Sequence, residues 1–337
     1  MTAPETFAFR SQLLDRRDRV NAARTAHPAS AEFERLLREI DSALERMDHG
    51  SYGLCEVCHE PIEPERLIAD PLLRFCLGHL TEEQQRALEQ DIELAGRIQA
   101  TLLPSRSLSA GGWEACYHYE PAGAVSGDYC DLIASDSGGL FFLTGDVSGK
   151  GVASSLLMSH LHAIFRSLLS VGMPIGSLLE RANRIFCEST LPSFYATLVC
   201  GHAYVSGEVE ICNAGHCPPV LVRDGGITTI EAAALPLGLF CSGQYAARRM
   251  RLGPGDCLVL YTDGLTEARD RSDQEYAMER LTMVLRSCSG LTPQAVAGRV
   301  LADLREFLAG APTSDDLTLL VIRRALHSRE QTPMETK

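Results

Sequence analysis

Residues 139–151 read GLFFLTGDVSGKG. An apolar run of strand length (139–147) ends on Asp146, and a glycine-rich turn leads into a helical pattern that begins at about Val152. A carboxylate at the end of a buried strand is costly unless it is paired or holds a metal. The pattern recurs: CLVLYTDG (257–264) places Asp263 after an apolar run, and DDLTLLVI (315–322) places Asp315 and Asp316 before one. SGDYCD (126–131) adds Asp128 and Asp131. One such aspartate is as well explained by a helix cap or a turn. For the set that explanation is weak, because chain-distant carboxylates at strand ends are the oxygen ligands a hard divalent cation takes.

Working outward, strands are expected at 113–120, 126–133, 195–205, 207–212, 219–223, 246–252, 257–262 and 317–323. Helices are expected at 151–171, 175–189, 275–287 and 293–309. Short turns join most of the strands, which predicts mainly antiparallel pairing and an α+β fold with helices covering stacked sheets. The 337 residues are 45% hydrophobic and 22% charged with a formal net charge of −13, ordinary globular composition for about two domains. The acidic balance opposes direct nucleic-acid binding, which needs a positive surface. No apolar stretch is read as reaching the ~18–20 residues of a membrane span, and the N-terminus lacks the apolar core of a secretory signal. Twelve cysteines without such a signal indicate thiols or metal ligands in a cytoplasmic setting.

Residues 1–50 are rich in arginine, glutamate and leucine. Phe33, Leu37, Ile40, Leu44 and Met47 form a heptad seam, Leu13, Arg17 and Val20 a weaker stripe, and His27-Pro28 a break, which together predict an antiparallel helical hairpin. Residues 51–80 carry Cys55-x2-Cys58 and, after seventeen intervening residues, Cys76-x2-His79. Two knuckles of two soft ligands each close a tetrahedron around one structural Zn²⁺ with no open position. So short a segment needs the metal to fold. Thr81 and Gln84 have capping-box spacing, and an uninterrupted helical pattern with a stripe of Leu88, Ile92, Ala95, Gln99 and Leu102 runs to Leu103, where Pro104 stops it. Gly96 is its weak point. The domain plan is therefore hairpin 1–50, zinc module 51–80, connecting helix 81–104, catalytic domain 105–325 and a flexible tail 326–337. The helix 81–103 offers its stripe to a neighbour or to a second copy.

The hairpin followed by GSYGLCEVCHEPIEPERLIADPLLRFCLGH resembles the DksA/TraR zinc-finger proteins over about the first 80 residues, with His79 where that family has cysteine. A second resemblance spans roughly 88–324: ELAGRIQATLLP, GWEACYHYEPAGAVSGDYCDLI, FFLTGDVSGKGVASSLLMSHL, FYATLVCGHAY, NAGHCPPVLV, LPLGLF, LVLYTDGLTEA and DDLTLLVI are similar, in order, to the SpoIIE/RsbU-like branch of the metal-dependent PPM serine/threonine phosphatases. That resemblance implies a four-layer α/β/β/α sandwich with two Mn²⁺ or Mg²⁺ ions at one end. It implies Asp146 as bridging ligand with the Val147 carbonyl beside it, Asp263 and Asp315 completing the site, and Asp128 serving the second metal or its water shell. Asp316 fills the second position of the last motif, Asp131 stands outside the core set, and His216 of NAGH is a candidate at the edge of the site. The family's eukaryotic relatives carry a phosphate-binding arginine for which no counterpart is found. Ions about 3.5–4 Å apart would activate a water for in-line attack on phosphorus. The expected partner is a phosphorylated protein, with an anti-sigma-factor antagonist as the analogue. The rival readings are a transcription modulator or a scaffold acting through the zinc module.

Three motifs mislead. Cys217-x5-Arg223 has the spacing of a tyrosine-phosphatase loop, but Pro218 and Pro219 lack the N–H groups such a loop needs. Gly145–Gly151 is not a P-loop, and Ser148 is not in a nucleophile elbow. The other nine cysteines read as small buried hydrophobes.

Overall fold

A computed structural model describes residues 3–26, 31–79, 82–136 and 138–326. The chain divides into two compact units, Met1–Gln90 and Asp91–Lys337, with the division inside one helix rather than at its ends.

In the first unit, α1 (Ala3–Ala26) and α2 (Ala31–Asp48) lie antiparallel. Leu13 and Val20 are buried against Leu37, Ile40, Ala43 and Leu44, with Phe33 and Met47 partly covered. The seam is thus the one the spacing implied. Arg17 leaves it to face Asp41 at 3.7 Å, and Arg10 reaches Asp48 at 2.7 Å, which fixes the antiparallel register. The break at His27-Pro28 lies outside the described residues, as do Thr81 and the tail beyond Leu326. A short helix, α3 (Pro64–Ala69), and a 3-10 turn (Leu77–His79) follow, and then α4 (Glu82–Leu102).

The second unit contains β1 (Ser107–Ala110), β2 (Trp113–Glu120), β3 (Asp128–Ala134), β4 (Leu140–Val147), α5 (Val152–Leu169), α6 (Ile175–Ser189), β5 (Ala196–Ala203), β6 (Glu208–Ala214), β7 (Val220–Arg223), β8 (Gly226–Thr229), β9 (Arg248–Arg251), β10 (Cys257–Tyr261), α7 (Asp263–Thr266), α8 (Ala277–Arg286), α9 (Pro293–Leu308) and β11 (Leu317–Arg324). All the strand pairings are antiparallel. They build a six-stranded sheet, β1-β2-β11-β10-β7-β8, and a five-stranded sheet, β3-β4-β5-β6-β9. Alternation along each strand supplies both faces. In β10, Leu258 and Leu260 face the inter-sheet core, while Cys257, Val259 and Tyr261 pack under α8 and α9. In β4, Phe142 faces the other sheet, while Phe141 and Leu143 pack under α5 and α6. The result is a four-layer α/β/β/α sandwich. The short strands β1 and β8 and the short helices α3 and α7 are additions to the expected elements; each has too few residues to show a period.

α5 corrects one expectation. By length and composition it is apolar enough to cross a membrane, the single such helix among the described residues. Its Met158, Leu161, Phe165 and Leu168 are instead buried beneath the five-stranded sheet, which makes it a core helix.

Phe142 shows how closely neighbouring strands of the five-stranded sheet pack side by side. It lies opposite Gly201, where a Cβ would come within 2.1 Å of its ring. Phe142→Ala should cost about 3–5 kcal/mol, and Gly201→Ala should also destabilise. Urea unfolding of the double variant should show a loss well below the sum, because the truncated ring vacates the space the new methyl needs.

Candidate functional site

The zinc module is built from its backbone. Cys55 N–H donates to Glu60 O (2.9 Å), and His59 N–H returns to Cys55 O (2.9 Å), which closes the first knuckle. The second is held by His79 N–H to Cys76 O (3.0 Å). Glu56 N–H to Arg74 O (3.0 Å) joins the two, as does a two-point Arg74–Glu56 ion pair. Arg46 of α2 donates to Leu73 O (3.0 Å), and Tyr52 OH to Pro71 O (2.9 Å). The ligand atoms of Cys55, Cys58, Cys76 and His79 all lie within 4.8 Å of one another. Cys58 Sγ and Cys76 Sγ are 3.8 Å apart, which matches the tetrahedral edge of about 3.8 Å that follows from Zn–S bonds of about 2.3 Å. Burial pushes the Cys55 thiol up, but backbone groups of Cys58, Cys76 and Val57 outweigh it and bring the thiol down to about 6. These residues fit zinc.

The aspartates gather where the two sheets end together. Asp128 opens β3 and stands directly opposite Asp146 of β4. Asp263 begins α7 immediately after β10, and Asp315 and Asp316 precede β11, the strand paired with β10. The six-stranded sheet reaches across to Asp128: Thr262 Oγ1 donates to its Oδ2 (2.9 Å), as does Thr318 Oγ1 (2.5 Å). Thr262 Oγ1 in turn accepts Thr318 N–H (2.9 Å). Burial drives Asp128 well above the usual carboxylate range, and Asp146 and Asp316 add to the rise against these two hydroxyls. Asp146 is raised to about 7 by burial and then by the charges of Asp263, Asp315 and Asp316. Asp263 is raised by burial and by Asp315. A Cβ on Gly127 would lie 3.0 Å from the Val147 carbonyl and 3.1 Å from Asp146 Oδ1, so the missing side chain leaves a cradle at those two oxygens. At Gly264 a Cβ would collide with Asp316 O at 2.0 Å, and α7 can approach the last motif only there. Crowded carboxylates beside an open carbonyl fit hard divalent cations.

Other residues fall elsewhere. Asp316 spends both oxygens on backbone, accepting Ala122 N–H (2.8 Å) and Gly127 N–H (3.0 Å), and so clamps the loop before β3. Asp131, which stands outside the core set, lies away from the cluster: three residues from Asp128 on one strand, it faces the opposite side and binds Arg166 of α5 through two 2.7 Å bonds. His216 is 5% exposed; burial lowers its pKa to about 4, and its Nδ1 pairs with Thr197 Oγ1 (2.8 Å). Such a ring is neutral and is braced by Thr197, the strand partner of Asp146. Six of the nine remaining cysteines are buried, but Cys187 and Cys217 are half-buried and Cys241 is exposed. A cavity of about 600 Å³ lies at the far end of the five-stranded sheet by Phe141, His202 and Arg249, and none of the aspartates of the cluster lines it.

Sequence reasoning placed Gln99 on the helical stripe but missed its polar role. Its amide exchanges bonds of 2.7 and 3.0 Å with the Ser126 backbone, while Ser126 Oγ accepts Asp128 N–H (3.0 Å). Gly96 has its reason here: a Cβ would meet Ala124 O at 2.1 Å. Thr262 and Thr318 were also missed, although both stand beside aspartates in the quoted motifs.

Two sheets flanked by helices, with carboxylates at one end and a Cys/His cluster in a separate module, define a PP2C-like domain joined to a zinc finger. Residues 136–325 match the stage II sporulation protein E (SpoIIE) family, and residues 50–78 match the prokaryotic dksA/traR C4-type zinc finger. The chain belongs to the SpoIIE family. The fourth zinc candidate, His79, lies one residue beyond the finger match. The phosphoserine phosphatase RsbU of Bacillus subtilis is 27% identical over 71% of this chain and 72% of its own length. Protein IcfG of a Synechocystis species is 23% identical over 69% of this chain, which spans only 41% of IcfG. The SiaA-PP2C domain of Pseudomonas aeruginosa shares the fold, with a TM-score of 0.62 at 21% identity over 71% of this chain and 98% of that domain.

The raised Asp146 sets a pH dependence. Its ordinary value is 3.8 and its folded value about 7, so its contribution to stability is complete below the ordinary value and is lost as pH rises through the folded one. Thermal unfolding of EDTA-treated protein should therefore shift downward from about pH 5 to pH 8, and Asp146→Asn should make that slope shallower.

Proposed function

We propose that the protein is a metal-dependent serine/threonine phosphatase acting on a phosphorylated regulatory protein, with a phosphorylated anti-sigma-factor antagonist as the substrate class. The observation that carries this reading is the convergence of Asp128, Asp146, Asp263 and Asp315, with the Val147 carbonyl, from four separated stretches onto one end of the sandwich. The name of the relative RsbU supports it. Two Mn²⁺ or Mg²⁺ ions held there would polarise the phosphoryl group and supply an activated water. The residues of the chain hold and orient. Asp146 and Asp263 present half-buried carboxylates, Asp128 is fixed by Thr262 and Thr318, and Asp316 tightens the loop that carries Gly127. A side-chain nucleophile is not needed, since phosphoryl transfer asks mainly for positioning and charge neutralisation.

The zinc module, in this reading, binds one structural Zn²⁺ through Cys55, Cys58, Cys76 and His79 and serves to dock or regulate the phosphatase. The helix 81–103 is its lever. Leu88, Leu94 and Ile98 are exposed on it and suit pairing in a homodimer, while Gln99 joins it to the strand of Asp128. The setting is cytoplasmic, without a membrane or nucleic-acid partner.

Phosphate release from a phosphoserine peptide should require Mn²⁺ or Mg²⁺ and fall by at least about a hundredfold in Asp146→Asn and Asp263→Asn, with the circular dichroism of the folded state retained. Full turnover in saturating EDTA would overturn the reading. Elemental analysis should find about one zinc per chain, absent after joint replacement Cys55→Ser and Cys58→Ser, and that variant should lose order in residues 51–79 before it loses the catalytic unit.

A further inference from the structure

The chain carries twenty-nine arginines and two lysines, Lys150 and Lys337. Wherever this sequence needs a solvent-facing cation it uses arginine, with the one internal exception in the GDVSGKG turn. There Lys150 Nζ lies 2.9 Å from Asp315 Oδ2 and 3.5 Å from the Ser314 carbonyl, on a side chain that is 74% exposed. The turn is pinned just before it, where Ser148 exchanges two bonds with the Tyr195 backbone (2.9 and 3.0 Å). Gly149 and Gly151, at φ 98° and 77°, flank the lysine, and around Gly151 there is nothing within 4 Å of where a Cβ would stand. The lysine therefore sits between two left-handed glycines at the mouth of α5, the first with the Phe194 ring 3.6 Å from where a Cβ would stand and the second with open space beside it.

The choice of lysine has a physical reading. A guanidinium would meet Asp315 with a planar, two-pronged fork and stay there, whereas an ammonium on a four-carbon stem is a single movable charge. Resting on the phosphatase reading above, we propose that Lys150 is an exchangeable counterion of the catalytic carboxylates. It neutralises Asp315 while no divalent cation is held, and it turns to the phosphate group of the substrate once Asp315 is engaged by metal. The cation released by metal binding is thus delivered to the dianion that binds next. It fills the place for which the sequence offers no arginine.

The scarcity of lysine makes the test direct. Reductive methylation with ¹³C-formaldehyde labels the N-terminal amine, Lys150 and Lys337, and the Lys150 signal is identified by its absence in Lys150→Arg. That signal should move on addition of Mg²⁺ and move again on addition of inorganic phosphate with Mg²⁺ present. In unlabelled protein, Lys150→Met should weaken inhibition by inorganic phosphate roughly tenfold, the scale of one charge-assisted hydrogen bond, without weakening Mg²⁺ binding measured by calorimetry. Lys150→Arg should bind Mg²⁺ more weakly than wild type, since its fork holds Asp315. A Lys150 signal indifferent to Mg²⁺ and phosphate, or a Lys150→Met variant with unchanged phosphate inhibition, overturns the proposal. Wild-type protein that binds Mg²⁺ but releases no phosphate from any phosphopeptide overturns the phosphatase reading instead, and the response of the lysine signal to Mg²⁺ still decides the first half of the exchange.

Discussion

Mutual repulsion among crowded carboxylates, one buried and three half-buried, is the constraint around which the catalytic unit is arranged. Asp128 and Asp146 stand face to face on neighbouring strands, and Asp263 and Asp315 are brought to them by the other sheet. Left alone, such a set would ionise only at a cost, and the loops carrying it would spread apart. The structure resists this from several sides. Strands buried on both faces cannot retreat, because each shift would expose one core or the other. Thr262 and Thr318 lend hydroxyls across the inter-sheet seam, and Asp316 turns its own charge to backbone N–H groups. What repulsion remains would be relieved by cations, which is how, on the proposed reading, an arrangement unfavourable by itself would serve as a binding site.

The same crowding explains which parts of the site were legible in the sequence. An apolar strand that runs into an aspartate is a local pattern with one physical meaning, and it marked Asp146, Asp263 and Asp315 from either side of the chain. Asp128 and Asp131 looked alike in SGDYCD. Strand geometry separates them, since an odd spacing turns one toward the seam and the other toward α5, where Arg166 waits thirty-five residues away. Asp316 looked like a ligand because it adjoins Asp315 in the same motif, but its partners are 189 and 194 residues distant and no local period reports them. The threonines were hidden for a related reason: a hydroxyl at a strand end reads as ordinary polar surface until the opposite sheet is in place.

The amino-terminal unit depends on a different kind of constraint. Its buried side chains are few, and Cys55 is itself among them. Removing the thiolate set would take away both the clip between the knuckles and part of the apolar floor beneath α2. Arg46 and Tyr52 spend their polar atoms on carbonyls of residues 71–73, so the hairpin and the knuckles share one hydrogen-bonded seam. That is why zinc spacing and helical heptads, read separately from the sequence, belong to a single folded object.

Gly96 and Gln99 show how a feature that weakens a helix can be what the helix is for. Glycine in a helix interior costs about 1 kcal/mol relative to alanine, and by propensity alone Gly96 is a defect. In place it lets α4 approach Ala124 more closely than any side chain would permit. One turn on, that approach lets Gln99 exchange two buried hydrogen bonds with Ser126, whose hydroxyl holds the N–H of Asp128. Rotating α4 about its axis would leave several buried polar groups unpaired at once, each costing roughly 1–3 kcal/mol. The helix and β3 are therefore bound to move together, and Asp128 cannot keep its position opposite Asp146 if the carboxyl-terminal half of α4 turns away.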